Sequence, residues 1–320
     1  MISDTGDQGI ASAVRAADDR PYASAEASTA RLLWLLIVVM TAIATFGFLL
    51  LRIRIDITSN PSLIAASFAY VAVTWFYSTI RRDVPLANAM TTVGQLFLVL
   101  LAGIMLTYAA TAVGLPFRDP ELYAADRWMG FDRQAYQALV ESKPGLRFIL
   151  DAAYATIQPQ TALVPFILVL TGRLPRLQQF VLALAISMIC TALIAAVIPA
   201  VDSFNHTETQ NSLRAGTLTS IRLNNLEGLI TFPSFHTTSA ILFVWALWPA
   251  RYVRSPAVIV NGLMILSTPI SGGHYGVDVI AGGLVAIAAI VAASWLNARW
   301  LVQDRDGASV RYRLGRGTAT

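Results

Sequence analysis

Long apolar runs, separated by short polar stretches, dominate the pattern of hydrophobic and polar positions along the chain. Most of them approach the roughly 20 residues that a helix needs to span a hydrocarbon core about 30 Å thick. The pattern predicts about eight transmembrane helices, at 32–51, 62–80, 86–114, 146–171, 177–200, 235–250, 256–271 and 275–297. The predicted fold class is therefore an all-α polytopic membrane bundle.

Composition agrees with a membrane protein. Hydrophobic residues make up 56% of the chain and charged residues only 13%, about half the charged share of an average soluble domain. The mean hydropathy is +0.59. Arginines beside apolar segments account for the formal net charge of +4, so no nucleic-acid partner is predicted. A single cysteine, Cys190, excludes an intramolecular disulfide framework.

The polar ends and the loops predict the domain organisation and the orientation. Residues 1–30 are expected to be a disordered cytoplasmic tail, 31–300 a single transmembrane domain and 301–320 a basic cytoplasmic tail. Arginines cluster in alternate short loops, as the positive-inside rule requires of cytoplasmic loops. Both termini are then cytoplasmic, and the loop 201–234 and the turn near 271–275 open to the extracytoplasmic side of the cytoplasmic (inner) membrane.

Two of the three histidines lie where apolar segments begin. In "GGHYGVDVIAGG", His274 precedes Asp278 by four residues, so a helix would bring both side chains to one face. A carboxylate bonded to one imidazole nitrogen leaves the other nitrogen free as a nucleophile or base. In "TFPSFH", Ser234 suits a helix N-cap and His236 the first turn. Because one hairpin separates the two stretches, both histidines are expected at the same membrane face. A structural His–Asp pair is the alternative.

Further polar residues are candidate ligands. Gly273 would let main-chain N–H groups approach an anion at a helix start, and the Ser234 hydroxyl could reach a phosphate oxygen. Asp151, Tyr154 and Gln158 form one polar face of an apolar segment, which could bind a polyol headgroup or only neighbouring helices.

The sequence also predicts one helix kink and bears on metal binding. Pro159 predicts a kink in the fourth apolar segment. No clustered acids or histidines suggest a metal site, because the acidic residues are scattered through loops. His206 has no partner at a useful spacing.

The pattern P-S-x-H, an intervening hairpin, and G-H-Y-x-x-D-x-x-A-G resembles the type 2 phosphatidic acid phosphatase superfamily. Within it, the chain is most similar to the branch that contains inositol phosphorylceramide synthase, and a loop with "DRWMGFD" adds to that similarity. The motifs cover 231–240 and 267–283. The resemblance implies that the transmembrane domain is catalytic, with a six-helix core at about 86–297.

The same resemblance implies a metal-independent transfer of a phosphoryl or phosphodiester group through a phosphohistidine. By matching positions, His274 is the nucleophile and Asp278 orients it. His236 protonates the leaving oxygen and later deprotonates the acceptor, and Ser234 donates a hydrogen bond to the phosphate.

The chain departs from the phosphatase pattern in its basic motifs. It has no K-x6-R-P, and Thr268 follows Ser267 where those members have arginine. Arg214 and Arg222 are candidate substitutes, or else solvated loop charges. Fewer cations weaken the binding of a phosphate monoester, with about −1.5 to −2 charges, more than that of a singly charged diester.

We therefore expect a lipid phosphotransferase that moves a phosphodiester headgroup, with inositol phosphate as one candidate, from a membrane lipid to an alcohol. A lipid phosphatase acting on phosphatidate or a polyprenyl diphosphate, with water as acceptor, is the nearer alternative. A non-enzymatic lipid transporter or scaffold is the more distant one. No cofactor is expected.

Overall fold

A computed structural model describes residues 20–201 and 207–316 of the chain. These residues form twelve α-helices and one two-stranded parallel sheet. The helices are α1 (Arg20–Leu50), α2 (Pro61–Trp75, continued by a π-helical turn Phe76–Ile80), α3 (Val84–Ala112), α4 (Asp119–Trp128), α5 (Arg133–Glu141), α6 (Pro144–Ala155), α7 (Ile157–Leu170), α8 (Leu174–Val197), α9 (Thr207–Arg214), α10 (Phe235–Leu247), α11 (Arg251–Ser271) and α12 (Gly276–Arg316). The strands are β1 (Arg54–Asp56) and β2 (Ser220–Arg222), each followed by a 3-10 turn.

The predicted all-α membrane bundle is confirmed. Within the described ranges, six helices are long and apolar enough to cross a membrane: α1, α2 with its extension, α3, α8, α11 and α12. Helices α6 and α7 form a pair bent by 52°, and α10 is a shorter apolar helix of 13 residues. Together they correspond to the eight predicted apolar segments. The protein is an integral membrane protein.

The N-terminal and C-terminal segments are more helical than the sequence suggests. Helix α1 begins at Arg20, inside the segment 1–30 that the sequence predicts to be a disordered tail. Helix α12 continues to Arg316, through most of the predicted basic tail. Residues 1–19 and 317–320 lie outside the described ranges.

Helix α11 is longer than predicted because it starts before its proline. The sequence places the start at Pro256, but the helix begins at Arg251. Cations are unfavourable in the first turn of a helix. The two cations at this helix start, Arg251 and Arg254, each lie against an aromatic ring. The guanidinium of Arg251 lies 4.7 Å from the ring centroid of Tyr252, and that of Arg254 lies 5.1 Å from that of Trp248.

The predicted kink in the fourth apolar segment is present as the bend between α6 and α7. Pro159 supplies no N–H to the carbonyl of Ala155, four residues earlier, and its ring crowds that carbonyl. The bend therefore falls one turn before the proline, and it redirects the chain just where Tyr154 and Gln158 lie.

Helix α8 forms the centre of the bundle. It packs against α1, α3, α10 and α12, and its side chains Phe180, Val181 and Leu182 are fully buried. The ring of Phe180 contacts that of Phe243 on α10, with centroids 6.0 Å apart. By contrast, Pro61–Trp75 contains no buried residue. Helices α10 and α12, which carry both histidine stretches, thus rest on the best-packed helix.

Two short helices cover the end of the bundle where α12 begins. They are α4 and α5, in the segment 118–145, which is too charged to span a membrane. Helix α4 contacts α12, and α5 contacts α6 and α11. The Tyr136 hydroxyl donates to the carbonyl of Leu266 at 2.9 Å. Trp128 is 89% exposed, which suits an aromatic ring at lipid headgroup level.

Candidate active site

His274 lies in the tight turn between α11 and α12. Gly273 has φ of +65°, a left-handed conformation that glycine adopts without strain. The N–H of His274 donates to the carbonyl of Thr268 at 3.3 Å, which holds the turn against the end of α11. The turn therefore holds His274 in a fixed position, unlike a residue on a freely moving surface loop.

The predicted His–Asp pair forms. His274 Nδ1 lies 3.3 Å from Asp278 Oδ2, and the same oxygen accepts the N–H of Tyr275 at 2.9 Å. Asp278 is fully buried and His274 is 4% exposed. The carboxylate thus contacts the ring nitrogen and caps the start of α12 at once, in the manner of a capping box.

His236 lies in the first turn of α10. Ser234 is the N-cap, and its hydroxyl accepts the N–H of Thr237 at 3.4 Å. The imidazole stacks on the ring of Tyr154, with centroids 3.9 Å apart and planes 13° from parallel. The centroids of the His236 and His274 rings are 6.4 Å apart. The structure therefore brings the two predicted histidines together.

Close backbone contact between α10 and α12 sets this arrangement. A Cβ at Gly282 would lie 2.3 Å from the carbonyl oxygen of Ser234, so only glycine fits there. The Thr238 hydroxyl donates to the carbonyl of Gly282 at 2.9 Å, and the N–H of Ser234 donates to the carbonyl of Asp278 at 3.1 Å. One side-chain and one main-chain hydrogen bond thus join the starts of the two helices at close range.

Both histidines line one cavity of about 710 Å³ between α3, α7, α8, α10 and the loop before α10. Its walls are mainly apolar, with Tyr154, Gln158 and Glu227 among the polar groups. Along the described part of the chain, no arginine or lysine lines it. The cavity can therefore hold a large, mostly apolar molecule with a polar end at the imidazoles.

Comparison with known proteins identifies the family. A family model described as the PAP2 superfamily matches residues 120–292. The chain belongs to the PAP2 superfamily. No curated protein and no solved structure matches it. The PAP2 match runs from α4 into α12 and includes both histidines and Asp278. Members of this superfamily are phosphatases and phosphotransferases that act on membrane lipids, and this protein is a membrane enzyme of that general kind.

The other predicted ligands are distributed unevenly around this PAP2 site. Tyr154 and Gln158 line the cavity, whereas Asp151 does not. Asp151 accepts the Ser271 hydroxyl at 2.6 Å and the Arg147 Nε–H at 2.7 Å, so it ties α6 to the end of α11. Ser234 is fully buried, with its hydroxyl directed to the first turn of α10. Its contact with phosphate stays a prediction, as does that of Gly273.

The two arginines predicted as substitutes for the missing basic motifs lie away from the cavity. Arg214 Nη2 donates to the carbonyls of Gly114 and Leu115, at 3.2 and 2.6 Å, which ties α9 to the end of α3. Arg222 is exposed on β2, opposite Asp56 in the strand register. Neither lines the cavity, so their phosphate-binding role stays a prediction without a supporting contact.

Sequence reasoning missed the residue that holds the start of α12. The N–H groups of Gly276 and Val277 donate to the two carboxylate oxygens of Asp126, each at 2.8 Å. The sequence predicts that free amides near this helix start attract an anion, but the side chain of Asp126 already occupies two of them. Asp126 lies in the "DRWMGFD" stretch, and no spacing rule connects it to a helix 150 residues later.

A second contact joins α4 to the same turn. The Tyr275 hydroxyl donates to Asp119 Oδ1 at 3.1 Å, and Asp119 also accepts the N–H of Val201. Burial, reinforced by the negative charge of Asp119, raises the pKa of Tyr275 to about 12. Tyr275 therefore stays protonated and keeps donating to Asp119 throughout the neutral range.

Within residues 20–201 and 207–316, no group of three or more histidine, cysteine, aspartate or glutamate side chains could hold a metal ion. His206, the third histidine, lies outside the described ranges.

Proposed function

We propose that the protein transfers a phosphodiester headgroup from a membrane lipid to an alcohol, through a phosphohistidine on His274. The observation that carries this proposal is the His274–Asp278 pair, which faces a second imidazole, that of His236, across one cavity. An activated nucleophile with a separate acid–base group is what a two-step displacement at phosphorus requires.

In the first step, the Nε2 lone pair of His274 forms a bond to phosphorus while the bond to the leaving oxygen breaks. His236, as imidazolium, gives its proton to that oxygen. Asp278 holds the Nδ1 proton of His274 and stabilises the positive charge on the phosphorylated ring. The other oxygen of Asp278 is buried and has no partner in the described ranges, which strengthens its attraction for that charge.

In the second step, the acceptor hydroxyl attacks phosphorus and gives its proton to neutral His236, and the bond between phosphorus and His274 breaks. His236 is thereby returned to its charged form and His274 to its neutral form. The cycle needs no redox partner and no group from outside the chain, so metal-independent transfer is part of the proposal.

The charge of the cavity supports a diester rather than a monoester. No arginine or lysine lines it among the described residues, and Glu227 adds a carboxylate. A second negative charge on the substrate would be repelled. Stabilisation of the transferred group then depends on the imidazole of His236 and on the N–H groups of Phe235 and His236 in the first turn of α10, which have no helical carbonyl to bond.

The lining also supports a hydroxyl-rich group at the polar end. Gln158, Thr161 and Glu227 can each accept or exchange hydrogen bonds with hydroxyls, while the apolar wall suits acyl chains. Inositol phosphate, the headgroup suggested by the resemblance of the sequence, is one such group. The site is proposed to open at the extracytoplasmic face, since the arginine-rich loops favour cytoplasmic termini.

The test uses purified protein in detergent and a panel of ³²P-labelled phospholipids, among them phosphatidylinositol, phosphatidylglycerol and phosphatidate. Each is incubated with and without diacylglycerol or ceramide as acceptor, with His274→Ala as the control. We expect label to pass from a diester donor into a new lipid only when an alcohol is present. Release of inorganic phosphate from phosphatidate, without transfer, would show a phosphatase instead. Wild-type activity in His274→Ala would refute both.

A further inference from the structure

Asp126 places a carboxylate in a buried position, which is unfavourable for a charged group without hydrogen-bond partners. Its side chain is 2% exposed, and it comes from α4, outside the helices that carry the histidines. A buried carboxylate is tolerated only when its oxygens are well bonded. Here each oxygen accepts one main-chain N–H of the first turn of α12, from Gly276 and from Val277.

These two bonds complete the capping of α12. The N–H groups of a first helical turn have no partner within the helix, and a negative charge there is favoured by the helix dipole. Asp278 satisfies the N–H of Tyr275 from inside the helix. Asp126 satisfies the next two from outside it, so the segment 274–278 is held from two directions.

We propose that Asp126 is a positioning residue for the nucleophile, a role that rests on the proposed function of His274. His274 lies two residues before, and Asp278 directly after, the two amides that Asp126 binds. Their contact is 3.3 Å and depends on the first turn being closed. Without Asp126, the two part-buried N–H groups of Gly276 and Val277 lose their acceptors, the turn opens, and the imidazole loses its alignment with phosphorus.

The rate, rather than donor binding, should report this role. Asp126 does not line the cavity, so its loss leaves the contacts with the lipid in place. Misplacing a reacting group by about 1 Å can lower a rate by about 100-fold. A residue that only stabilised the fold would change the amount of active protein and the unfolding temperature, but not the ratio of kcat to KM per folded molecule.

The experiment compares Asp126→Asn, Asp126→Glu and Asp132→Asn in purified protein. Asp132 is the matched control: it lies in the same segment and caps a helix, α5, by accepting the N–H of Ala135, but it does not touch α12. The measurements are the rate of ³²P labelling of His274 from the donor lipid, the kcat and KM of transfer, and the thermal unfolding midpoint.

We expect Asp126→Asn to slow labelling and kcat by about 10- to 100-fold with little change in KM, because the amide turns a donor toward one N–H. Asp126→Glu should recover part of the rate, and Asp132→Asn should match the wild type. Wild-type kcat in Asp126→Asn, or an equal loss in Asp132→Asn, would overturn the inference.

Hydrogen exchange separates failure of this inference from failure of the proposed function. Asp126→Asn should raise the exchange of the Gly276 and Val277 amides, whether or not His274 becomes phosphorylated. If His274→Ala still labels, the proposed function is wrong, and the exchange data still test the cap. If exchange in Asp126→Asn is unchanged, Asp126 does not hold the turn, and the inference is wrong by itself.

Discussion

His274 and His236 line the same cavity, but the protein holds the two rings in different ways. His274 is fixed by a carboxylate four residues on, in a turn whose helix is capped from both sides. His236 stacks on the flat face of Tyr154. A carboxylate selects a tautomer and stabilises a charged ring, whereas a stacked phenol selects an orientation only.

Under the proposed function, this difference suits the two identical side chains to different chemistry. A nucleophile must present one lone pair and then carry a positive charge, which suits His274. A proton shuttle must exist in both protonation states during one cycle, and a strong, permanent ion pair would prevent that. The comparison makes graded predictions, because each change removes one of the two kinds of support.

Removing the nucleophile should have the largest effect. His274→Ala should show no labelled protein and no transfer, because no other group has an oriented lone pair at phosphorus. Acid-labile ³²P on histidine after mixing with donor lipid is the measurement, and His206→Ala is the histidine control. Label on His236, or label in His274→Ala, would reverse the assignment of the two rings.

Asp278→Asn tests the carboxylate that sets His274 apart. The amide keeps the size of the side chain but no longer favours the required tautomer, so kcat should fall by about 10⁴-fold. The unfolding midpoint should show that the protein is still folded. A loss of less than about tenfold in a folded variant would mean that the pair is structural.

His236→Ala should slow each proton-dependent step by about 10²- to 10⁴-fold. With a donor whose leaving group needs no protonation, such as a nitrophenyl phosphodiester, His274 should still become labelled, and the label should then turn over slowly. Complete loss of labelling with this donor would show that His236 does more than transfer protons.

Tyr154 should show a smaller, graded effect. An aromatic stack contributes about 0.5–1.5 kcal/mol, so Tyr154→Ala should lower kcat by up to about tenfold. Tyr154→Phe keeps the ring and should retain most of the rate. If both variants lose activity equally, the hydroxyl rather than the stack is what matters.

Chelation of metal ions should leave the rate of transfer unchanged, which is the smallest of the expected effects. Because both rings act through protein groups alone in the proposed cycle, transfer should be unchanged after treatment with EDTA and gel filtration. Loss of activity with EDTA that Mg²⁺ restores would contradict the mechanism and remove the reason for distinguishing the two histidines.

Much of the fold was accessible from local sequence patterns. Apolar length located the bundle, Pro159 located the bend, and the four-residue step from His274 to Asp278 located the contact between these two side chains, because each depends on neighbours in the chain. The start of α11 was missed because the apolar run begins only at Pro256, whereas the helix also includes the preceding Arg251 and Arg254, which lie against aromatic rings.

Long-range partners were not accessible from such patterns. Asp126 meets its two amides across 150 and 151 residues, and Glu227 reaches the cavity from an irregular loop. Arg214 is the opposite example. In the sequence it has no evident partner, but in the structure its guanidinium donates to two carbonyls just after α3. Such contacts depend on how helices pack in three dimensions.

The contact of Gly282 with the Ser234 carbonyl limits how closely α10 and α12 approach each other. Main-chain atoms have no rotamers, so this approach does not depend on the side chains that line the rest of the cavity. Substitution of wall residues on α3, such as Leu100 and Ile104, would change the cavity without touching this contact. The width of the cavity and the spacing of the two helices that carry the histidine stretches are therefore set by different parts of the molecule.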